Sequence, residues 1–99
     1  MANLRMHAEA SREVATALYR YQQQATATTA RRFDGEVDRM LTAIESQPDR
    51  FGFYDDRTHE AALNRFPFTV YYRIDDNGDV LVVAVAHQSR EPGYWVDRN

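Results

Sequence analysis

The 99-residue sequence contains no cysteine and no lysine. Without cysteine the chain can form no disulfide, no thiolate metal site and no cysteine nucleophile, a composition typical of the reducing cytoplasm. Without lysine it has neither a Schiff-base nucleophile nor the phosphate-binding lysine of a P-loop. No segment approaches the run of about 18 apolar residues that a membrane-spanning helix needs, and residues 1–10 lack the apolar core of a signal peptide. We therefore expect a cytoplasmic protein with no membrane partner.

The charge balance and the length of the chain limit its partners and its architecture. Fifteen acidic residues against twelve basic ones, all arginine, give a net charge of −3, which weakens long-range attraction to nucleic acid. With 43% hydrophobic residues the chain can build one core, so residues 1–99 are predicted to form a single domain. The three histidines are scattered, and the acidic segment Asp75–Asp79 does not continue with the glycine and glutamate of an EF-hand loop. We therefore predict no metal site and no cofactor.

Apolar residues recur with helical spacing in the first half of the chain. Leu4 and Met6 first alternate with polar residues, which predicts a short edge strand. Apolar side chains recur at intervals of three and four over residues 8–24 and again in a second segment that ends before Pro48. This spacing predicts two amphipathic helices. The two apolar stripes are Val14, Ala17, Leu18 and Tyr21 in the first helix, and Phe33, Val37, Met40, Leu41 and Ile44 in the second. The threonine-rich segment Ala25–Thr29 is predicted to be the turn between them.

After Pro48 the apolar spacing changes to two. Residues 68–74 and 81–85 alternate on either side of Asn77-Gly78, a dipeptide typical of a tight hairpin turn. A turn centred on that dipeptide predicts three facing pairs, namely Val70 with Val85, Tyr72 with Val83, and Ile74 with Leu81. The weaker alternation of residues 60–66 predicts a further antiparallel strand nearer an edge. Helices followed by strands predict an α+β domain in which a helix hairpin packs on one face of a small sheet.

Four segments are distinctive in their order and spacing. They are Phe33–Arg39 in the second helix, Gln47–Phe51 at its end, Arg65–Arg73 leading into the hairpin, and Val85–Trp95 in the last strand and tail. Together they resemble the RelE/ParE family of type II toxins, the toxin halves of bacterial toxin–antitoxin pairs, and the last segment is most similar to the ParE side. The resemblance covers nearly the whole chain. It implies a β-α-α-β-β-β fold with a mostly antiparallel sheet, and a cognate antitoxin, encoded by the adjacent gene, whose disordered end folds on binding.

Two activities occur within that family. ParE-like members poison DNA gyrase, whereas RelE-like members cleave mRNA in the ribosome. A metal-independent nuclease needs a base, an acid and cations that stabilise the phosphorane, and the resemblance implies Arg73, Arg90 and Tyr94 for these catalytic roles. A toxin that binds a protein target would use an aromatic and basic surface instead. The candidates for that surface are Tyr71, Arg73, His87, Arg90, Tyr94 and Trp95.

Two of these candidates also have a structural interpretation. His87 closes the last predicted strand, where it could titrate near neutral pH or simply cap the strand end. Trp95 follows that strand, and it either covers the core or offers an anchor to a partner.

The net charge of −3, the absence of lysine and the ParE-like tail favour a toxin that acts by binding a protein target such as DNA gyrase and that its antitoxin neutralises. This interpretation implies no enzymatic activity. The alternative is a RelE-like, ribosome-dependent mRNA endoribonuclease whose partners are the ribosome and mRNA. A scaffold that binds an antitoxin without being toxic is a third interpretation. The sequence leaves open a homodimer or a toxin–antitoxin hetero-oligomer.

Overall fold

The computed structural model describes residues 2–99, which form two helices and four strands. In chain order the elements are β1 (Leu4–Met6), α1 (Ala8–Gln24), α2 (Ala27–Ser46), β2 (His59–Ala62), β3 (Phe68–Ile74) and β4 (Val80–His87). The sheet has the order β1-β4-β3-β2, with β1 parallel to β4 and the other two pairs antiparallel. The predicted α+β class, the β-α-α-β-β-β order and the mostly antiparallel sheet are confirmed.

The turn between the helices is shorter than the sequence predicts. Only Ala25 and Thr26 separate α1 from α2, so Thr28 and Thr29 belong to the first turn of α2. The Thr26 hydroxyl accepts a hydrogen bond from the backbone N–H of Thr29 at 3.0 Å. One cap of this kind satisfies a free donor at the helix start and outweighs the low helix propensity of threonine.

Among residues 2–99, no helix is long and apolar enough to cross a membrane.

The β3–β4 turn is longer than predicted. Ile74 faces Val80 rather than Leu81, so the turn comprises all of Asp75–Asp79. Gly78 has φ +84°, a left-handed conformation that glycine adopts without steric cost. The odd number of turn residues shifts the adjoining part of β4 by one position, and the predicted pair of Ile74 with Leu81 is therefore wrong.

A bulge in β4 corrects this shift farther from the turn. Tyr71 faces Ala84 while Tyr72 faces Val82, so Val83 has no residue opposite it. The predicted pair of Tyr72 with Val83 is therefore wrong as well. Val83 and Ala84 both pack on the sheet face opposite the helices, whereas Val82 packs on the helix side. A bulge of this type locally strengthens the twist of a strand and interrupts its regular hydrogen bonding.

The helix hairpin covers one face of the sheet, as predicted. Past the bulge β3 and β4 have the expected register, with Val70 opposite Val85, and both side chains are buried in the helix-side core. Phe33 of α2 lies at the centre of an aromatic cluster. Its ring centroid is 5.2 Å from that of Tyr21, 5.3 Å from that of Phe66 and 5.0 Å from that of Phe68.

The edge strand β2 ends before the predicted boundary at Phe66. It stops at Ala62, because the chain turns back immediately and the backbone N–H of Leu63 donates to the C=O of Phe68 at 2.9 Å.

The sheet face opposite the helices is covered by residues 88–99, which we call the tail. Trp95 of the tail packs there against the β4 side chains that point away from the helices.

Candidate functional site

The residues predicted to bind a partner lie in two places, the sheet face opposite the helices and the end of β4 beside α1. Tyr71, Arg73 and Trp95 belong to the sheet face opposite the helices. His87, Arg90 and Tyr94 lie beside α1, where β4 ends. The fold thus divides the predicted surface into two groups with different surroundings.

Trp95 covers the sheet and does not project into solvent. Its side chain is 1% exposed and stacks on Tyr71, with 4.4 Å between the ring centroids. Tyr54, from the loop before β2, closes the cluster with its ring centroid 5.1 Å from that of Trp95. Burial, and then the nearby Glu60 carboxylate, raises the pKa of the Tyr71 hydroxyl. Of the two interpretations of Trp95, core cover is therefore the one that the structure confirms.

Arg73 holds the tail on the sheet. Its Nη1 donates to the C=O of Arg98 at 2.6 Å, and its Nη2 donates to the C=O of Val96 at 2.9 Å. Its Nε donates to the Thr58 hydroxyl at 3.1 Å, and Arg57 donates to the same Val96 carbonyl at 3.2 Å. Burial, and then the charge of Arg57, lowers the pKa of Arg73, although an arginine keeps its proton at neutral pH. All three guanidinium nitrogens of Arg73 therefore donate within the protein.

A groove of about 690 Å³ runs along β4 between α1 and the tail, and we call it the α1–tail groove. Its apolar lining includes Ala17, Tyr21, Phe68 and Val85. Its charged lining is Arg12, Arg20, Arg90 and Arg98 together with Glu9 and Glu13. Four arginines against two glutamates give it a net charge of +2 with His87 neutral, in a protein whose net charge is −3. Such a groove favours an acidic segment of a partner.

Glu13 joins α1, β4 and the tail inside this groove. Its carboxylate accepts hydrogen bonds from the Val85 backbone N–H at 3.0 Å, from Arg98 Nη1 at 3.0 Å and from the Tyr94 hydroxyl. Arg98 Nη1 also donates to the C=O of Val83, the bulged residue, at 3.0 Å. Burial, and then the hydrogen bond to Glu13, holds the pKa of Tyr94 well above its usual range. Tyr94 thus remains a protonated donor at physiological pH.

Arg90 and His87 form the outer rim of the groove. The exposed Arg90 guanidinium lies 3.8 Å from the ring centroid of Tyr94, a cation–π contact. His87 accepts a hydrogen bond at Nδ1 from the backbone N–H of Ser89 at 3.0 Å, and its ring meets that of Phe68 edge to face. His87 therefore caps the end of β4, the structural one of its two interpretations.

The three residues of the nuclease interpretation do not converge. Arg90 and Tyr94 are in contact, but the guanidinium of Arg73 is bonded to the tail carbonyls of Val96 and Arg98. The Tyr94 hydroxyl is itself engaged with Glu13. Within residues 2–99, no three histidine, aspartate or glutamate side chains come together as a candidate metal site. The site consists of hydrogen-bond donors beside apolar surface, an arrangement suited to binding.

Sequence reasoning does not single out Glu13 or Arg98. Glu13 follows Ala10 by three positions and precedes Ala17 by four, so it lies on the buried stripe of α1. A carboxylate on such a stripe must find partners, which is a signal that the sequence does contain. Its side-chain partners, Tyr94 and Arg98, lie 81 and 85 residues farther along the chain. No local sequence pattern identifies them.

Comparison with known proteins shows the family. The family model described as the ParE toxin of the type II toxin–antitoxin system, parDE, matches residues 4–92. The chain belongs to the ParE toxin family. Membership confirms the resemblance found in the sequence, and it implies that this ParE toxin has an antitoxin as its partner.

A solved structure has the same fold. It is titled "Chromosomal ParDE TA system from P. aeruginosa", and the match has a TM-score of 0.77 at 12% sequence identity. The match covers 88% of this chain and 96% of that chain, so the two folds correspond over nearly their full length. A search of curated protein sequences gave no match.

Proposed function

We propose that this ParE toxin acts by binding a protein target such as DNA gyrase, without cleaving RNA, and that its antitoxin neutralises it. The observation that carries the proposal is the engagement of Arg73. A metal-independent nuclease must direct free cations at the phosphorane, but the donors of Arg73 end on Thr58, Val96 and Arg98. A nuclease built from Arg73, Arg90 and Tyr94 would first have to release the tail.

The α1–tail groove is the proposed contact surface for the target. Arginine and tyrosine are frequent anchors in protein interfaces, and the groove presents both beside an apolar floor. Of its arginines, Arg12 pairs with Glu9 and Arg98 pairs with Glu13. Among the described residues, Arg20 and Arg90 have no carboxylate within ion-pair distance. These two charges therefore remain available to an acidic partner.

Neutralisation follows when the antitoxin occupies the groove that the target requires. The positive groove on an acidic protein favours acidic segments from either partner, so target and antitoxin compete for one surface. Under this proposal the resting form is a toxin–antitoxin hetero-oligomer in the cytoplasm. Loss of the antitoxin then exposes the groove to the target.

Induced expression in bacteria tests the proposal. We expect growth arrest with altered plasmid supercoiling and intact mRNA. Arg20→Ala and Arg90→Ala should weaken the arrest, since each removes a free charge of the groove and about 1–2 kcal/mol of binding, or roughly tenfold in affinity. Arg32→Ala, which removes an exposed arginine of α2 outside the groove, is the matched control and should leave the arrest unchanged.

Two results would contradict the proposal. Cleaved mRNA with normal supercoiling would establish the ribosome-dependent nuclease. A folded protein that binds its antitoxin and arrests nothing would establish the non-toxic scaffold.

A further inference from the structure

The sheet continues past β2, on the side away from β1, into the loop that precedes β2. Two backbone hydrogen bonds, of 2.9 Å and 2.7 Å, join residues 52–54 of this loop to residues 58–60. Phe53 lies between these two bonds, directly opposite His59 in an antiparallel bridge. Residues 52–54 are therefore a short outermost strand, and we call them the outer segment.

The backbone of Phe53 faces away from the sheet. The two bonds are made by the residues before and after Phe53, so Phe53 and His59 form a pair without hydrogen bonds to each other. In an antiparallel ladder the N–H and C=O of such a residue point to the other side of the strand. Within residues 2–99, neither group of Phe53 makes a hydrogen bond. An unpaired strand edge of this kind is a template for pairing with another chain.

Apolar side chains are exposed on both sides of this edge. The Phe53 side chain is 63% exposed and ends a stack of rings, with its centroid 4.0 Å from that of His59. His59 stacks in turn on the buried ring of Tyr72, at 4.9 Å. Tyr54 packs on the opposite face of the sheet, and it and Val96 of the tail are 37% and 38% exposed. The edge thus combines free backbone groups with apolar surface.

The charges on either side of the outer segment indicate the partner. Two copies that pair antiparallel about a two-fold axis at Phe53 bring together residues equally far before and after it. Arg50 of one copy then approaches Asp56 of the other, and Asp49 approaches Arg57. All four of these residues are exposed, and each pair forms twice in a dimer. The edge is therefore complementary in charge to a second copy of itself.

We propose that this ParE toxin forms a homodimer in which the outer segments of two copies pair as antiparallel strands about a two-fold axis at Phe53. The Phe53 N–H of each copy donates to the Phe53 C=O of the other, so that the two sheets become one continuous sheet. The α1–tail groove lies along β4, at the other side of the sheet. Each copy in the dimer therefore keeps its groove accessible to a target or an antitoxin.

Analytical ultracentrifugation of the purified toxin tests this proposal through a matched pair of variants. We expect the unchanged chain to form a reversible dimer. Phe53→Asp and Tyr19→Asp replace aromatic side chains of nearly equal exposure, 63% and 64%. Phe53→Asp places two carboxylates at the axis and should weaken the dimer at least tenfold, since like charges on facing strands repel. Tyr19→Asp lies on α1 and should leave the dimer unchanged.

An exchange of charges tests the register of the pairing. Arg50→Asp alone, or Asp56→Arg alone, places like charges opposite each other at two symmetry-related positions. Each should weaken the dimer about tenfold. The double variant restores opposite charges and should recover the affinity of the unchanged toxin. A general loss of stability would instead add up in the double variant, so recovery reports a direct pairing of the two positions.

Three results would overturn the proposal. The first is a toxin that stays monomeric up to about 1 mM. The second is a dimer that Phe53→Asp does not weaken, because its interface then lies elsewhere. The third is a double variant that dimerises no better than either single charge reversal. Circular dichroism of every variant verifies that it is folded.

Discussion

The two faces of the sheet are covered by different means. On one face, helices of 17 and 20 residues bury many apolar side chains around Phe33. On the other face, the tail is held by one buried indole, Trp95, and by hydrogen bonds from Arg73 and to Glu13. Stability on the helix face is therefore spread over many contacts, whereas the tail depends on a few. Regions held by few contacts open most readily in folded proteins, so the tail is the part that can be released without unfolding the rest.

Phe33→Ala should have the largest effect on stability. Phe33 is 0% exposed and contacts three aromatic rings, so its truncation leaves a cavity that the helices cannot close. We expect a loss of about 3–5 kcal/mol in the free energy of unfolding, measured with denaturant. A loss below about 1 kcal/mol would contradict the description of the helix-side core.

Trp95→Ala should cost less than Phe33→Ala although the side chain is larger. We expect about 3 kcal/mol or less, because the tail can relax while Arg73 and Glu13 still hold it. Amide exchange should then increase in residues 88–99 and remain slow in α1 and α2. Equal losses for the two variants, with faster exchange throughout the helices, would show that the two faces unfold as one unit.

Arg73→Lys tests the polar attachment of the tail. A lysine keeps the charge but cannot direct separate donors at the carbonyls of Val96 and Arg98. We expect a loss of about 1–2 kcal/mol in stability, with faster amide exchange in the tail. Arg57→Lys is the control, since Arg57 makes one exposed bond at 3.2 Å, and it should cost only a few tenths of a kcal/mol.

A further effect appears at alkaline pH, where one tyrosine reports on each face. Burial raises the pKa of Tyr72, on the helix side, to about 12, and burial with the Glu13 contact also raises that of Tyr94. A tyrosine pKa that is raised in the folded state adds stability, and this stability is fully present at pH values below the unfolded-state pKa near 10. It is lost as the pH rises through the folded-state pKa. Stability should therefore be level from about pH 7 to 9 and fall between about pH 10 and 12.

Three variants check this pH dependence by denaturant unfolding. Tyr72→Phe and Tyr94→Phe should each flatten part of the alkaline fall. Tyr19→Phe, at a side chain that is 64% exposed, should leave the curve unchanged. An identical alkaline curve in all three variants would contradict the assigned surroundings of Tyr72 and Tyr94.

The sequence predicts the helix face better than the tail face for a physical reason. The stripe from Phe33 to Ile44 is local, so apolar spacing alone indicates α2 and its buried side. The β3–β4 hairpin is only partly local, since Asn77-Gly78 fits a turn of two residues as well as the five-residue turn that forms. The register near Val83 depends on the bulge, and the C=O of this bulged residue is satisfied by Arg98 from a distant part of the chain.

The candidate site shows the same division. His87, Arg90 and Tyr94 are close in sequence, and the structure brings all three to the α1–tail groove. Arg73 and Trp95 also carry the residue types of an interface, but long-range contacts with the tail and with Tyr71 engage them inside the protein. Residue type predicts a capacity to bind, and only the fold determines which side chains remain available.

A supercoiling assay with purified DNA gyrase tests the central claim, binding of a protein target, most directly. The purified toxin should inhibit supercoiling in proportion to its concentration, and an equal amount of antitoxin should restore it. Arg90→Ala should need roughly tenfold more protein for the same inhibition, whereas Arg32→Ala should match the unchanged toxin. Uninhibited gyrase, together with cleavage of mRNA on translating ribosomes by the same preparation, would contradict the account.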